Sequence, residues 1–122
     1  MSYFIGTLAY PSTGVKSTIN VGFQPTGIRI TSSQKYPSAQ TFSHRSVGVS
    51  DGVSQFYDST FQDTTGGKTI NGDNKIVSHW ERVSGTITEV LSVKVNSFQP
   101  TGPKLEVLTA NVNYNLLLEA WD

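Results

Sequence analysis

Two histidines, His44 and His79, are the side chains best suited to moving protons near neutral pH. The second stands in His79-Trp80-Glu81, where strand alternation puts an imidazole and a carboxylate on one face. That is the minimum for a general-base pair, and nothing completes it. A His–Glu pair on a polar sheet face reads as solvated structure, no serine sits in Gly-x-Ser-x-Gly, and a hydroxyl without base or oxyanion donors is not a nucleophile. Neither histidine has a His or Cys neighbour at zinc-ligand spacing, and the chain contains no cysteine. Asp58, Asp63, Asp73 and Asn74 bring hard oxygens into the most turn-rich stretch, residues 59 to 74, but not at the spacing of a calcium loop, so they read as turn and surface residues. Tyr36, Tyr57 and Trp80, with Trp121, offer ring faces to a sugar or a protein partner, with core packing as the plainer role. The chemistry implied is recognition: no catalytic residue, no metal and no cofactor is expected.

The elements that position these side chains are strands. The 122 residues fit one domain, 1–122, and only 15% are charged, against roughly 25% in ordinary globular proteins. Ser, Thr, Asn, Gln and Gly fill the connections, and Val, Ile, Phe, Tyr and Thr fill the runs between them, the composition of an all-β protein. Nine basic and nine acidic residues cancel without forming blocks, so neither nucleic acid nor an anionic membrane is an expected partner. The first residues lack a signal-peptide pattern, and no apolar run approaches the roughly 20 residues that span a bilayer. A soluble protein made in the cytoplasm is expected.

Along the chain, residues 3 to 10 read as a strand, turning at Pro11-Ser12-Thr13-Gly14 into a hairpin with residues 15 to 23. Asp51-Gly52 marks a hairpin between His44–Val49 and Val53–Tyr57. Lys75 to Val83 and Thr86 to Val95 follow, and Leu105 to Ala110 should pair with Tyr114 to Trp121 across Asn111-Val112-Asn113. The pentapeptide Phe-Gln-Pro-Thr-Gly occurs twice, at Phe23, Pro25 and Gly27 and again at Phe98, Pro100 and Gly102. Both copies read as matching structural corners. Ile19 and Val21 share the parity of Phe23, whereas Val93 and Val95 are out of step with Phe98, which predicts a β-bulge before the second copy. The result is a two-sheet antiparallel β-sandwich, jelly-roll-like, of eight or nine strands. Its expected core is Phe4, Leu8, Ile19, Val21, Phe23, Ile28, Ile30, Val47, Val49, Phe56, Trp80, Ile87, Val93, Val95, Leu105, Val107, Leu116 and Leu118.

Several segments then fall into a familiar order: Val21-Gly22-Phe23-Gln24-Pro25 leading into Ile28-Arg29-Ile30, Ser46-Val47-Gly48-Val49-Ser50-Asp51-Gly52 followed by Gln55, Ser97-Phe98-Gln99, and Tyr114-Asn115-Leu116-Leu117-Leu118-Glu119-Ala120. This arrangement resembles a small β-sandwich domain of tailed-bacteriophage virion proteins. The resemblance implies a non-enzymatic structural protein of the virion, partnered by capsid or tail subunits and by copies of itself, and carries over no catalytic residue. Such domains mostly sit in minor tail proteins fused to longer segments. A lone domain without a stalk implies instead a capsid decoration protein on the head surface, with a tail-tip or tail-fibre component as the neighbouring reading. A carbohydrate-binding module using Tyr36, Tyr57 or Trp80 is the alternative from another class.

Overall fold

The computed structural model of the protein describes residues 1–8, 12–34, 43–63, 65–111 and 114–122. The described residues form ten strands: β1 (Tyr3–Thr7), β2 (Lys16–Thr18), β3 (Gly27–Gln34), β4 (Ser43–Ser50), β5 (Gln55–Gln62), β6 (Gly67–Asp73), β7 (Val77–Val83), β8 (Thr86–Gln99), β9 (Gly102–Ala110) and β10 (Tyr114–Trp121). They form a six-stranded sheet, β1-β10-β3-β4-β5-β6, and a four-stranded sheet, β2-β9-β8-β7. Every pairing is antiparallel. The all-β sandwich expected from composition is what the chain builds, with ten strands where eight or nine were expected.

Local chemistry explains the reversals. Ser84 (φ 50°) and Gly85 (φ 81°) both take positive φ, the two-residue hairpin geometry that matches strand twist, and join β7 to β8. The Asp51-Gly52 hairpin also forms, but as a four-residue loop: Ser50 pairs with Gln55, and the Asp51 carboxylate accepts from the Val53 and Ser54 amides at 2.9 and 2.7 Å. The expected bulge is present. Val95 pairs with Leu105 and Ser97 with Lys104, leaving Asn96 as the extra residue two positions before Phe98. The turn-rich stretch 59–74 is more regular than its composition indicates, since it holds the end of β5 and all of β6.

Two expected hairpins are not hairpins. β1 pairs with β10 while β2 pairs with β9, and β9 and β10 likewise lie in different sheets. In a sandwich, consecutive strands with facing apolar sides can lie across the core from one another as readily as side by side.

The core is Ile28, Ile30, Leu116, Leu118 and Ala120 from one sheet against Val77, Leu91, Val93, Val95, Leu105 and Val107 from the other, with Ile76 and Val21. Phe4, Leu8, Ile19, Phe23 and Phe98 pack at its margin. Strand β4 inverts the expectation. Its inward side carries His44, Ser46, Gly48 and Ser50, while Val47 and Val49 point outward and are 43% exposed; Phe56 on β5, also expected in the core, is 57% exposed. The reason is a close approach. A Cβ built on Gly48 would fall inside the Ile76 carbonyl, so the chain entering β7 lies directly on β4. The Ser78 amide reaches Ser46 Oγ at 3.4 Å. Only small side chains fit between backbones that close, and the valines are left on the far side.

Candidate functional site

The outward side of the six-stranded sheet is built by register. Ile5, Glu119, Arg29, Val49, Phe56 and Asp73 form one row across it, and Thr7, Leu117, Thr31, Val47, Asp58 and Asn71 the next. Tyr3, Trp121 and Gly27 make a further row toward the corner end. Tyr3, Ile5, Val47, Val49 and Phe56 are all exposed there. At the centre, Arg29 grips Glu119 with two nitrogens: Nη2 donates to Oε1 at 2.6 Å and to Oε2 at 2.8 Å, and Nε to Oε1 at 2.9 Å. The Tyr3 hydroxyl adds a 2.6 Å bond to Glu119 Oε2. These bonds, the tyrosine's first and then the arginine's, hold the Glu119 carboxyl below its ordinary pKa. The charge pair is therefore closed on itself, in a face that exposes apolar groups at its centre and flank and carries Asp58, Asn71 and Asp73 toward the β6 edge.

Toward the corner end the face deepens into a cleft of about 350 Å³ lined by Thr26, Gly27, Val49, Asp51, Ser54, Phe56 and Trp121. The Trp121 indole lies across Gly27, where an added Cβ would come within 2.5 Å of the ring. Asp51 sits at the rim, its pKa lowered by the Ser54 and Val53 amides. Around this end the two pentapeptides meet: Gln24 Nε2 donates to the Phe98 carbonyl at 3.1 Å, and the amides of Val21 and Gly22 both donate to the Thr101 carbonyl. Gln24, Pro25, Asp51, Gly52, Val53 and Phe98 enclose a second hollow of about 450 Å³, with Val53 91% exposed at the hairpin tip. The chain termini arrive here too, Ser2 N donating to the Asp122 carboxylate at 2.6 Å.

Of the aromatic residues singled out from sequence, Trp121 lines the cleft, and Tyr36, Tyr57 and Trp80 are not shown to join it in a platform. Tyr36 lies outside the described residues. Tyr57 lies over Gly72 on the edge strand β6. Trp80 is half-buried in the other sheet, its indole nitrogen 2.8 Å from Ser78 Oγ, which in turn bonds Glu89. The aromatic residues that share one face are Tyr3, Phe56 and Trp121. The signal for them was parity: each occupies the outward phase of its strand, but that phase could not be told from the inward one before the Gly48–Ile76 approach was known. The candidate oxygens are dispersed as well. Asp63 caps its own turn through Thr65 and Gly66 and pairs with Arg82, whereas Asp73 lies at the other end of β6. Among the described residues no group of three His, Cys, Asp or Glu could hold a metal ion.

His79 and Glu81 do share a face, but not a solvated one. His79 is fully buried, its ring centroid 3.9 Å from that of Tyr114, whose hydroxyl donates to Glu81 at 2.9 Å. His79 Nε2 meets Ser32 Oγ at 2.5 Å, and Ser32 Oγ also lies 3.5 Å from the Ser46 carbonyl. Both bonds are satisfied if Nε2 carries the proton and Ser32 passes its own to Ser46. Burial, and secondarily His44, push the His79 pKa down to about 3. The pair has the outline of a nucleophile and its base, but Ser32 is buried like His79, and among the described residues no carboxylate orients Nδ1, which finds no hydrogen-bond partner there. Its role is to fill the polar side of the core.

No protein-family model matches the sequence, and no curated protein does. Among solved structures, the chain is similar to the tailspike protein of Acinetobacter phage vB_ApiP_P1, with a TM-score of 0.38 and 7% identity over 98% of this chain and 21% of that one. The chain thus spans about a fifth of that protein's length. A likeness at this level carries nothing about function.

Proposed function

We propose that this chain is a non-enzymatic structural protein of a bacteriophage virion, acting as a capsid decoration protein that buries its surface against head subunits. The observation that carries a docking role is the outward face of the six-stranded sheet. It exposes Tyr3, Ile5, Val47, Val49 and Phe56 together, and such clusters on soluble domains mark interaction sites. The virion setting rests on the sequence resemblance. Mass spectrometry of purified virions, with binding of the purified chain to expanded capsids and to tails, tests it. Capsid binding is the expected result; binding to tails alone would move the assignment to a tail-tip or fibre component, and absence from virions would end it.

One observation favours a second reading, a host-glycan binder. Trp121 and Phe56 wall a cleft whose rim carries the ionised Asp51 and the hydroxyls of Thr26 and Ser54, the pairing of ring faces with hydrogen-bonding groups that sugars use. A glycan array probed with a multivalent form of the protein would support it by a signal that Trp121→Ala abolishes.

A further inference from the structure

We infer that the cleft walled by Trp121 and Phe56 takes an arginine side chain of the docking partner, which therefore presents a basic segment to this face. The inference rests on the docking role proposed above, keeps the partner proposed there and names what that partner inserts. Ring faces, an open carboxylate oxygen and the charge balance around the cleft carry it.

Trp121 on β10 and Phe56 on β5 reach the cleft from opposite sides, with Val49 of β4 between them. Gly27 puts no side chain beneath the indole, and the Asp51–Ser54 loop closes the corner end, so a slot of about 350 Å³ remains. Ring faces carry partial negative charge and attract a cation laid over them. A guanidinium is flat, weakly hydrated and always charged, so it stacks in such a slot while its methylenes cover Val49; a compact, strongly hydrated ammonium gains less.

Asp51 is held at the rim by one oxygen only. Its Oδ1 accepts the Val53 and Ser54 amides at 2.9 and 2.7 Å, and its Oδ2 has no donor among the described residues. The two amides fix the carboxylate and keep it ionised, so an incoming guanidinium gains a charge-assisted bond without rearranging the loop.

The neighbouring charges favour a cation as well. Arg29 and Glu119 cancel, and Arg45, one row beyond Val47, lies diagonal to Asp58 and offsets it. That leaves Asp51 and Asp73, neither of which has an ion pair among the described residues. Asp73 stands cross-strand from Phe56 and lines, with Phe56, Tyr57, Asn71 and Gly72, a further hollow of about 410 Å³. The exposed Phe56 ring is thus flanked by a carboxylate on each side. An aliphatic side chain in the cleft would strip water from Asp51 without replacing its hydrogen bonds, and a neutral sugar would make no use of the excess charge.

Amide NMR of the isotope-labelled chain during titration with N-acetylarginine amide is the test. A saturable shift of the Trp121 indole N–H and of the Val53 and Ser54 amides is expected, weaker with N-acetyllysine amide and absent with N-acetylleucine amide. Asp51→Asn keeps an oxygen for the Val53 and Ser54 amides and removes the charge; it should weaken arginine binding roughly three- to tenfold, and added salt should weaken it too. Trp121→Ala, followed at Ser54, should weaken it comparably, with Phe56→Ser in its place if circular dichroism and thermal melting show that Trp121→Ala misfolds. The same variants should weaken binding to capsids. No saturable shift with the arginine amide overturns the inference, as does a shift indifferent to Asp51→Asn or one larger with the leucine amide. Saturation by methyl glycosides and not by the arginine amide also overturns it and gives the cleft to the host-glycan reading. Capsid binding indifferent to folded variants of Asp51 and Trp121 overturns the partner's arginine while sparing the virion reading. Arginine binding without affinity for any virion part leaves the cationic site standing and removes the virion reading.

Discussion

The same five residues do two different jobs in this molecule. Phe23–Gly27 carries the chain from the end of β2, in the four-stranded sheet, across to β3 in the six-stranded one; Phe98–Gly102 closes a hairpin between β8 and β9 within one sheet, Gln99 pairing with Gly102. Pro25 is buried and Pro100 exposed. Gly27 lies beneath a tryptophan side chain, whereas Gly102 lies against a backbone, because a Cβ there would fall inside the Ile19 carbonyl. Proline and glycine specify that the chain turns, and the flanking strands specify into which sheet. Around the second copy, Val93 and Val95 on β8 and Leu105 and Val107 on β9 bury the same side, so a hairpin satisfies both strands. Before the first copy, β2 is three exposed residues, and the chain stays bonded to β9 and the turn before it through Ile19 and Val21 until it crosses at the corner.

The contrast predicts unequal cost for one substitution made twice. Gly102→Ala must push apart two backbones that also hold the Val21–Thr101 and Ile19–Pro103 hydrogen bonds, and should cost about 3 kcal/mol or more in urea unfolding. Finding Gly102→Ala no worse than Gly27→Ala would break the distinction between the two corners.

Acid probes a region remote from both copies and separates core from corners. His79 has a folded pKa of about 3 against 6.5 for the free side chain, so below pH 6.5 the unfolded chain takes up a proton that the folded one refuses. Stability should therefore be full above pH 6.5, fall by up to about 1.4 kcal/mol per pH unit below it, and level off near pH 3. His44, also lowered by burial, adds the same sign. The lowered carboxyls of Asp51, Asp63, Glu119 and Asp122 act later: their contribution is present above the ordinary values of 3.8 to 4.5 and is lost as pH falls beneath them. Between pH 6.5 and 4.5 the slope belongs to the histidines. His79→Gln should flatten it, and a variant as acid-sensitive as the parent would dissociate His79 from that slope.

Gly27→Ala comes next in size. Its new methyl meets the edge of an indole that can swing toward the cleft, so a loss of about 1–2 kcal/mol is expected with a shift in tryptophan emission as Trp121 moves. An unshifted spectrum would mean the backbone yielded instead.

These magnitudes track what was legible in the sequence. The phase slip between Val95 and Phe98 predicted a bulge before the second copy, because a bulge leaves its mark in parity, and the structure puts the extra residue at Asn96. The alternation of β9 and β10 was equally readable, since their apolar sides face the core. β4 alternates just as cleanly and was read inside out: periodicity reports that a strand has two faces, and only the close packing of Ile76 on Gly48 decides which one is buried. Gly48 itself, a glycine inside a strand, was the available hint of a near backbone. The candidate site shared that fate. Aromatic type pointed to Tyr36, Tyr57, Trp80 and Trp121, while the grouping of Trp121 with Tyr3 and Phe56 depends on register between strands more than a hundred residues apart, such as Tyr3 with Trp121.

The smallest test uses the glutamines, which are as equivalent in sequence as the glycines. Gln24 reaches across to the Phe98 carbonyl and ties the first copy to the second, whereas Gln99 bonds Ser97 Oγ on its own strand at 2.5 Å. A bond between segments 74 positions apart restrains the folded chain in a way that a neighbour-to-neighbour bond does not, because the latter can also form in the unfolded ensemble. Gln24→Ala should therefore lower stability by about 0.5–1 kcal/mol and Gln99→Ala by less. In the Gly27→Ala background the cost of Gln24→Ala should shrink, since a displaced first corner already loosens that bond. Strictly additive losses would show that the two copies touch without supporting one another.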